Sequence, residues 1–85
     1  MFVNDNLGIV ARMDDEIFVV KKISVARNVL VVNDDQHIIH KIVFESVDCA
    51  DKFFERVWKC CYAGRKYFDF NCVDEKGAIK DGFIH

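Results

Sequence analysis

The sequence predicts an α+β domain: a mostly antiparallel sheet of five or six strands with one amphipathic helix packed on one face, in the order ββββαββ. Three observations carry this. Residues 46–64 place apolar side chains at spacings of three and four between a serine and a glycine. The flanking segments are short, rich in branched and aromatic residues, and bounded by polar turns. The connections are short as well, which makes antiparallel pairing the default.

The helix is the strongest element. Ser46 is the natural N-cap, its hydroxyl placed to accept from a free amide of the first turn. Asp48 and Asp51 put negative charge where the helix dipole favours it. Ala50, Phe53, Phe54, Val57 and Cys61 form the apolar stripe, and Asp48, Lys52, Glu55, Arg56 and Lys59 the wet face. Asp48–Lys52 and Glu55–Lys59 are acid-before-base pairs four residues apart. Gly64 suits the left-handed position after the last turn.

Strands are expected at residues 7–12 and 17–23, joined through the acidic turn Asp14-Asp15-Glu16 as a hairpin. A third strand at 28–32 is apolar on both faces and so suits a central position. Asn33-Asp34-Asp35-Gln36 is the strongest turn signal, leading into a fourth strand at 37–45. There Ile38, His40, Ile42 and Phe44 share one face, and His37, Ile39, Lys41 and Val43 the other. The face with Ile42 and Phe44 is expected under the helix. After the helix, 67–73 alternates again, Asp74-Glu75-Lys76-Gly77 reads as a hairpin turn, and 78–84 as a short edge strand. The predicted core is Ile9, Phe18, Val20, Val29, Val31, Ile42, Phe44, Ala50, Phe53, Phe54, Val57, Phe68 and Phe70.

Eighty-five residues fit a single domain, 1–85. A chain of this length hides only about 60–65% of its extended-chain surface, so modest stability is expected. Twelve valines and eight isoleucines favour strands, because branched Cβ atoms fit a pleated surface. With 52% hydrophobic residues the chain is too apolar for disorder. A net charge of −2 with acids and bases interspersed excludes a nucleic-acid binder working by bulk charge, and equally a strongly acidic DNA mimic. No run of about 18 apolar residues predicts a membrane span. The N-terminus lacks a basic region leading a hydrophobic one, so no cleaved signal is expected and a cytoplasmic location is.

The residues offer little chemistry. Cys49 and Cys60 lie eleven residues apart on one helix, about 16 Å along its axis, too far for a disulfide. Adjacent Cys60 and Cys61 point about 100° apart. Four reduced thiols are the expectation, with Cys72 the only geometrically open partner for a helix cysteine. Cys49, in the first helical turn, is flanked by Asp48 and Asp51, which oppose thiolate formation. His37 and His40 stand three apart in a strand and so face opposite sides, which excludes a shared metal ion. Phosphate-cradling glycine loops are absent, and two serines with no threonine leave few hydroxyl nucleophiles. No cofactor and no metal are implied, and an enzyme is not expected.

The best surface candidate is the basic-aromatic set at the end of the helix: Arg56, Trp58, Lys59, Tyr62, Arg65 and Lys66, with Tyr67 beside it. Trp, Tyr and Arg dominate protein-interface hot spots. The expected function is a non-enzymatic protein-binding module, an inhibitor or adaptor docking on a larger intracellular protein. Small stand-alone modules of that kind are common in phage and mobile-element genomes, and a phage origin belongs to this expectation. A homodimer through an edge strand or the helix face is a second partner the chain admits. The alternative is a nucleic-acid-binding domain, in which these aromatics stack bases and the cations hold phosphates.

Overall fold

A computed structural model describes residues 2–3 and 8–84, with side chains for 8–84. It consists of β1 (Phe2–Val3), β2 (Val10–Met13), β3 (Glu16–Ala26), β4 (Val29–Asp34), β5 (Ile39–Val43), α1 (Val47–Tyr62) and β6 (Tyr67–Asp69), followed by a 3-10 turn at Phe70–Cys72. The sheet order is β5-β4-β3-β2-β6, with β1 paired to the far half of β3. Every pairing is antiparallel except β2 with β6. The α+β class and the single helix on a mostly antiparallel sheet are therefore as the sequence predicts. The start of the first predicted strand, Leu7, lies outside the described residues.

The helix forms for the expected reasons. Ser46 is extended, and its hydroxyl accepts from the Cys49 amide at 3.2 Å. At the other end, the Gly64 amide donates to the Cys61 carbonyl and the Arg65 amide to that of Cys60, with Gly64 at φ 86°. These are the two bonds of a Schellman motif. Ala50, Phe53, Phe54 and Val57 are buried. Lys52–Asp48 and Lys59–Glu55 close at 3.0 Å on the wet face, where solvent screens most of their attraction.

β3 is longer than its expected span because it serves two partners. Its first half pairs with β2 and its second with β1, while β4 runs along its other side. A bulge between Val20 and Lys22 shifts the alternation, so Val20 and Ile23, three apart, are both buried. In β4 the inward residues are Leu30, Val32 and Asp34; Val29 and Val31, expected in the core, face the other side and are half-buried. The run is apolar on both faces, so its hydrophobicity did not specify the register. β5 is shorter than its expected span, but Ile42 and Phe44 do lie on the helix side, with Ile42 half-buried and Phe44 buried. Phe18 is also only half-buried: it packs at the core margin and stacks on His40, ring centroids 4.0 Å apart at 3°.

After the helix the chain departs from two expected strands. β6 stops at Asp69, opposite Arg12 and one residue short of the end of β2. The Asp69 carboxylate instead accepts from the Asn71 amide and starts the 3-10 turn. Asn71 then clasps the β2–β3 hairpin, donating to the Asp14 carbonyl at 3.0 Å and accepting from its amide at 2.8 Å. Residues 78–84 form only two isolated bridges, Val73–Ile79 and Phe68–Ile84. Gly82, at φ 93°, breaks the extended path and delivers Phe83 inward. Phe83, absent from the predicted core, is fully buried along with Ala11, Ile23, Leu30 and Val32. The core thus lies between one sheet face and a cover made jointly by α1 and the 70–84 segment.

The turns at 34–38 and 74–78 share one design. In each, an aspartate side chain accepts from the amides two and four residues on: Asp34 from Gln36 and Ile38, Asp74 from Lys76 and Ala78. In each, the fourth residue is left-handed: His37 at φ 67° and Gly77 at 79°. Only glycine adopts that geometry without a Cβ penalty. His37→Gly should therefore raise stability by roughly 0.5 kcal/mol, the relief of strain partly offset by unfolded-chain entropy. A urea titration reads this as a small rise in midpoint. A fall would mean that the His37 side chain contributes contacts worth more than the strain. The same geometry corrects the expectation that His37 belongs to the fourth strand: it sits in the turn, and β5 begins at Ile39.

Candidate functional site

The predicted binding residues divide between two sides of α1. At about 100° per residue, Arg56 and Trp58 point about 160° apart. On one side Trp58 packs against the core margin and meets Tyr62 edge-on, centroids 4.5 Å apart at 76°. Tyr62 is 76% exposed. On the other side Arg56 and Lys59 line a shallow groove of about 390 Å³ with Cys49, Lys52, Lys76 and Gly77, and no aromatic from the predicted set joins them there. Arg65 and Lys66 follow the C-terminal cap and are exposed, and Tyr67 is half-buried in β6. Arg56 and the aromatic pair therefore face different sides of α1, whereas Lys59 stands about 60° from Tyr62 round the helix and Arg65 and Lys66 follow the same end.

All four cysteines are free and partly buried. Burial pushes the Cys61 thiol up to about 11, with neighbouring Cys60 adding to the effect, so it stays protonated near neutrality. The Cys49 sulfur accepts from the Ser46 hydroxyl at 3.2 Å.

His40 is held rather than presented. Its Nε2 donates to Asp34 Oδ2 at 3.1 Å, and its ring lies flat on Phe18. Burial works against ionisation of Asp34, but the bonds from His40, Ile38 and Gln36 outweigh it, so the carboxyl sits below its ordinary value. This knot fastens the β4–β5 turn. Among the described residues no three His, Cys, Asp or Glu side chains converge as metal ligands would. Nor is any described helix long and apolar enough to cross a membrane.

The feature missed by the sequence reading is the sheet face away from the helix. Ile17 is 64% exposed, Val19 44%, Ile39 54% and Val43 63%. The registers explain why they share a face: Ile17 and Val19 sit opposite Arg12 and Val10, while Val43 and Ile39 sit opposite Val29 and Asn33. Helix and C-terminal segment are both committed to the other side, so nothing among the described residues covers these side chains. The sequence carried the signal: Ile39 and Val43 alternate with His40 and Ile42, giving a strand aliphatic on both faces. No family model, curated protein or solved structure matches the chain.

Proposed function

We propose that this chain is a non-enzymatic protein-binding module that docks on a larger protein through the uncovered face of its sheet. The observation that supports it is the set of branched aliphatic side chains left in water there, Ile17, Val19, Ile39 and Val43. A one-sided sheet normally turns polar residues outward. Burying four such side chains at an interface would return about 1–2 kcal/mol each. The Trp58–Tyr62 edge is a second apolar surface, placed on the helix side. An inhibitor or adaptor role follows from the same logic, since binding is the activity this surface serves.

The test is affinity capture from host extract with the wild-type chain and with the triple variant Ile17→Thr, Ile39→Thr, Val43→Thr. Threonine keeps strand propensity while removing aliphatic surface, so the variant should fold normally by circular dichroism. A stoichiometric protein held by the wild type and lost by the triple variant is the expected result. Capture of nothing would end the proposal, and capture undiminished in the triple variant but abolished by Trp58→Ala with Tyr62→Ala would move the contact to the helix edge.

A further inference from the structure

We propose that recognition runs through β5 by strand addition: the chain takes an extended partner segment carrying an acidic side chain opposite Lys41, with branched aliphatic residues opposite Ile39 and Val43. This rests on the protein-binding reading above and specifies its partner. β5 ends the sheet order. Two backbone bonds reveal which of its groups point outward. The Phe44 amide donates to the Asn28 carbonyl at 2.8 Å, and the Asp34 amide to the Ile38 carbonyl at 3.0 Å. In an antiparallel ladder, bonded and non-bonded pairs alternate. With 38 and 44 bonded toward β4, so are 40 and 42, and the registered pairs Val43–Val29, Lys41–Val31 and Ile39–Asn33 are the non-bonded ones. The N–H and C=O groups of Ile39, Lys41 and Val43 therefore point away from β4, along an edge that no described strand pairs.

The same three residues alternate along the strand and so put their side chains on one face. It is the uncovered face, since Ile39 and Val43 are more than half exposed while His40 and Ile42 between them are not. Backbone pairing and side-chain reading are thus offered by one set of residues, as strand addition requires. The register of β5 on β4 has no bulge, and the chain has no proline, so the edge is regular. Lys41 is the one charged residue on it, the device by which edge strands refuse their own kind.

That charge selects the partner. A second copy using all three outward residues would pair Ile39 with Val43 and set Lys41 against Lys41, and like charges directly opposite are unfavourable. Across β4 and β5 the uncovered face carries Val29, Val31, Asn33, Ile39, Lys41 and Val43, so Lys41 is its one charge and no acid shares it. An incoming strand with a carboxylate at the central position meets a complementary charge, and its residues two before and two after meet aliphatic side chains.

The test is amide chemical-shift titration of the full-length, isotope-labelled chain with two capped heptapeptides, TVTETVT and TVTKTVT. Saturable shifts concentrated at Ile39, Lys41 and Val43 with the glutamate peptide, about tenfold weaker with the lysine peptide, are expected. Lys41→Glu, an exposed substitution, should reverse the preference. Shifts elsewhere, equal affinity for both peptides, no shifts at all, or a self-associated dimer protecting these three amides would each overturn the proposal. If host capture still depends on the sheet face while β5 ignores both peptides, the module reading stands and the edge-strand mode falls.

Discussion

Phe53→Ala should cost about 3–5 kcal/mol, the range for deleting a buried phenylalanine ring. Phe53 is the hub of the aromatic core. Its ring lies 5.3 Å from Phe44, 5.5 Å from Phe83 and 6.2 Å from Phe70, contacting the sheet edge and the C-terminal segment at once. It is 1% exposed, so solvent does not refill the space. The helix backbone is held by caps at both ends, which limits collapse into the cavity. A domain of this length has roughly 4–13 kcal/mol of total stability, so the loss is a large share of it. In urea, with a slope of about 1–1.5 kcal/mol per molar, the midpoint should fall by roughly 2–5 M. Phe53→Leu should retain more than half of the loss-free stability. A shift under about 0.5 M for the alanine variant would show that the ring is not central to the core.

Phe83→Ala should come close behind, again at about 3–5 kcal/mol. Here the interest is where the residue sits. It belongs to a stretch with no ladder of its own, yet its ring meets Phe53, Phe68 and Phe70 at 5.5, 5.5 and 6.0 Å, and its carbonyl accepts from the Asp69 amide at 2.7 Å. Phe83 thus joins the helix, β6 and the 3-10 turn. Losing it should lower one cooperative transition for the whole domain. A biphasic melt, with the sheet surviving after the C-terminal segment releases, would show instead that this segment is an accessory cover. Ile79→Ala, only partly buried, should cost clearly less than Phe83→Ala.

Elements whose signals are local were legible in the sequence. The helix is an example: Ser46, the apolar stripe and Gly64 each act within a few residues, and all three behave as their chemistry dictates. The Asp34 turn is another, since its side chain bonds amides only two and four residues away. What was not legible depends on distant partners. Nothing near Phe70 announces that β6 will end opposite Arg12 and give way to a 3-10 turn. Nothing near Val20 announces a bulge, so a strict alternation through β3 places Ile23 on the wrong face. In β4, aliphatic residues at four consecutive positions satisfy either register, and it took pairing with β3 and β5 to choose Leu30 and Val32.

The candidate site divides the same way. The basic-aromatic set was found by proximity in sequence, and the helix separates neighbours by angle. The β5 edge was visible as an alternation of Ile39, Lys41 and Val43, but its openness is a property of sheet order, which no single segment encodes.

The parallel pairing of β2 with β6 has a kinetic consequence. Arg12 and Asp69, which it brings within 3.4 Å, are 57 residues apart, whereas β2 through β5 join by tight hairpins. Closing so long a loop is entropically costly and is repaid only late. The four-stranded meander should therefore assemble first, its inner surface bare until the aromatic lid descends. That transient is sticky, and refolding yield should fall as protein concentration rises.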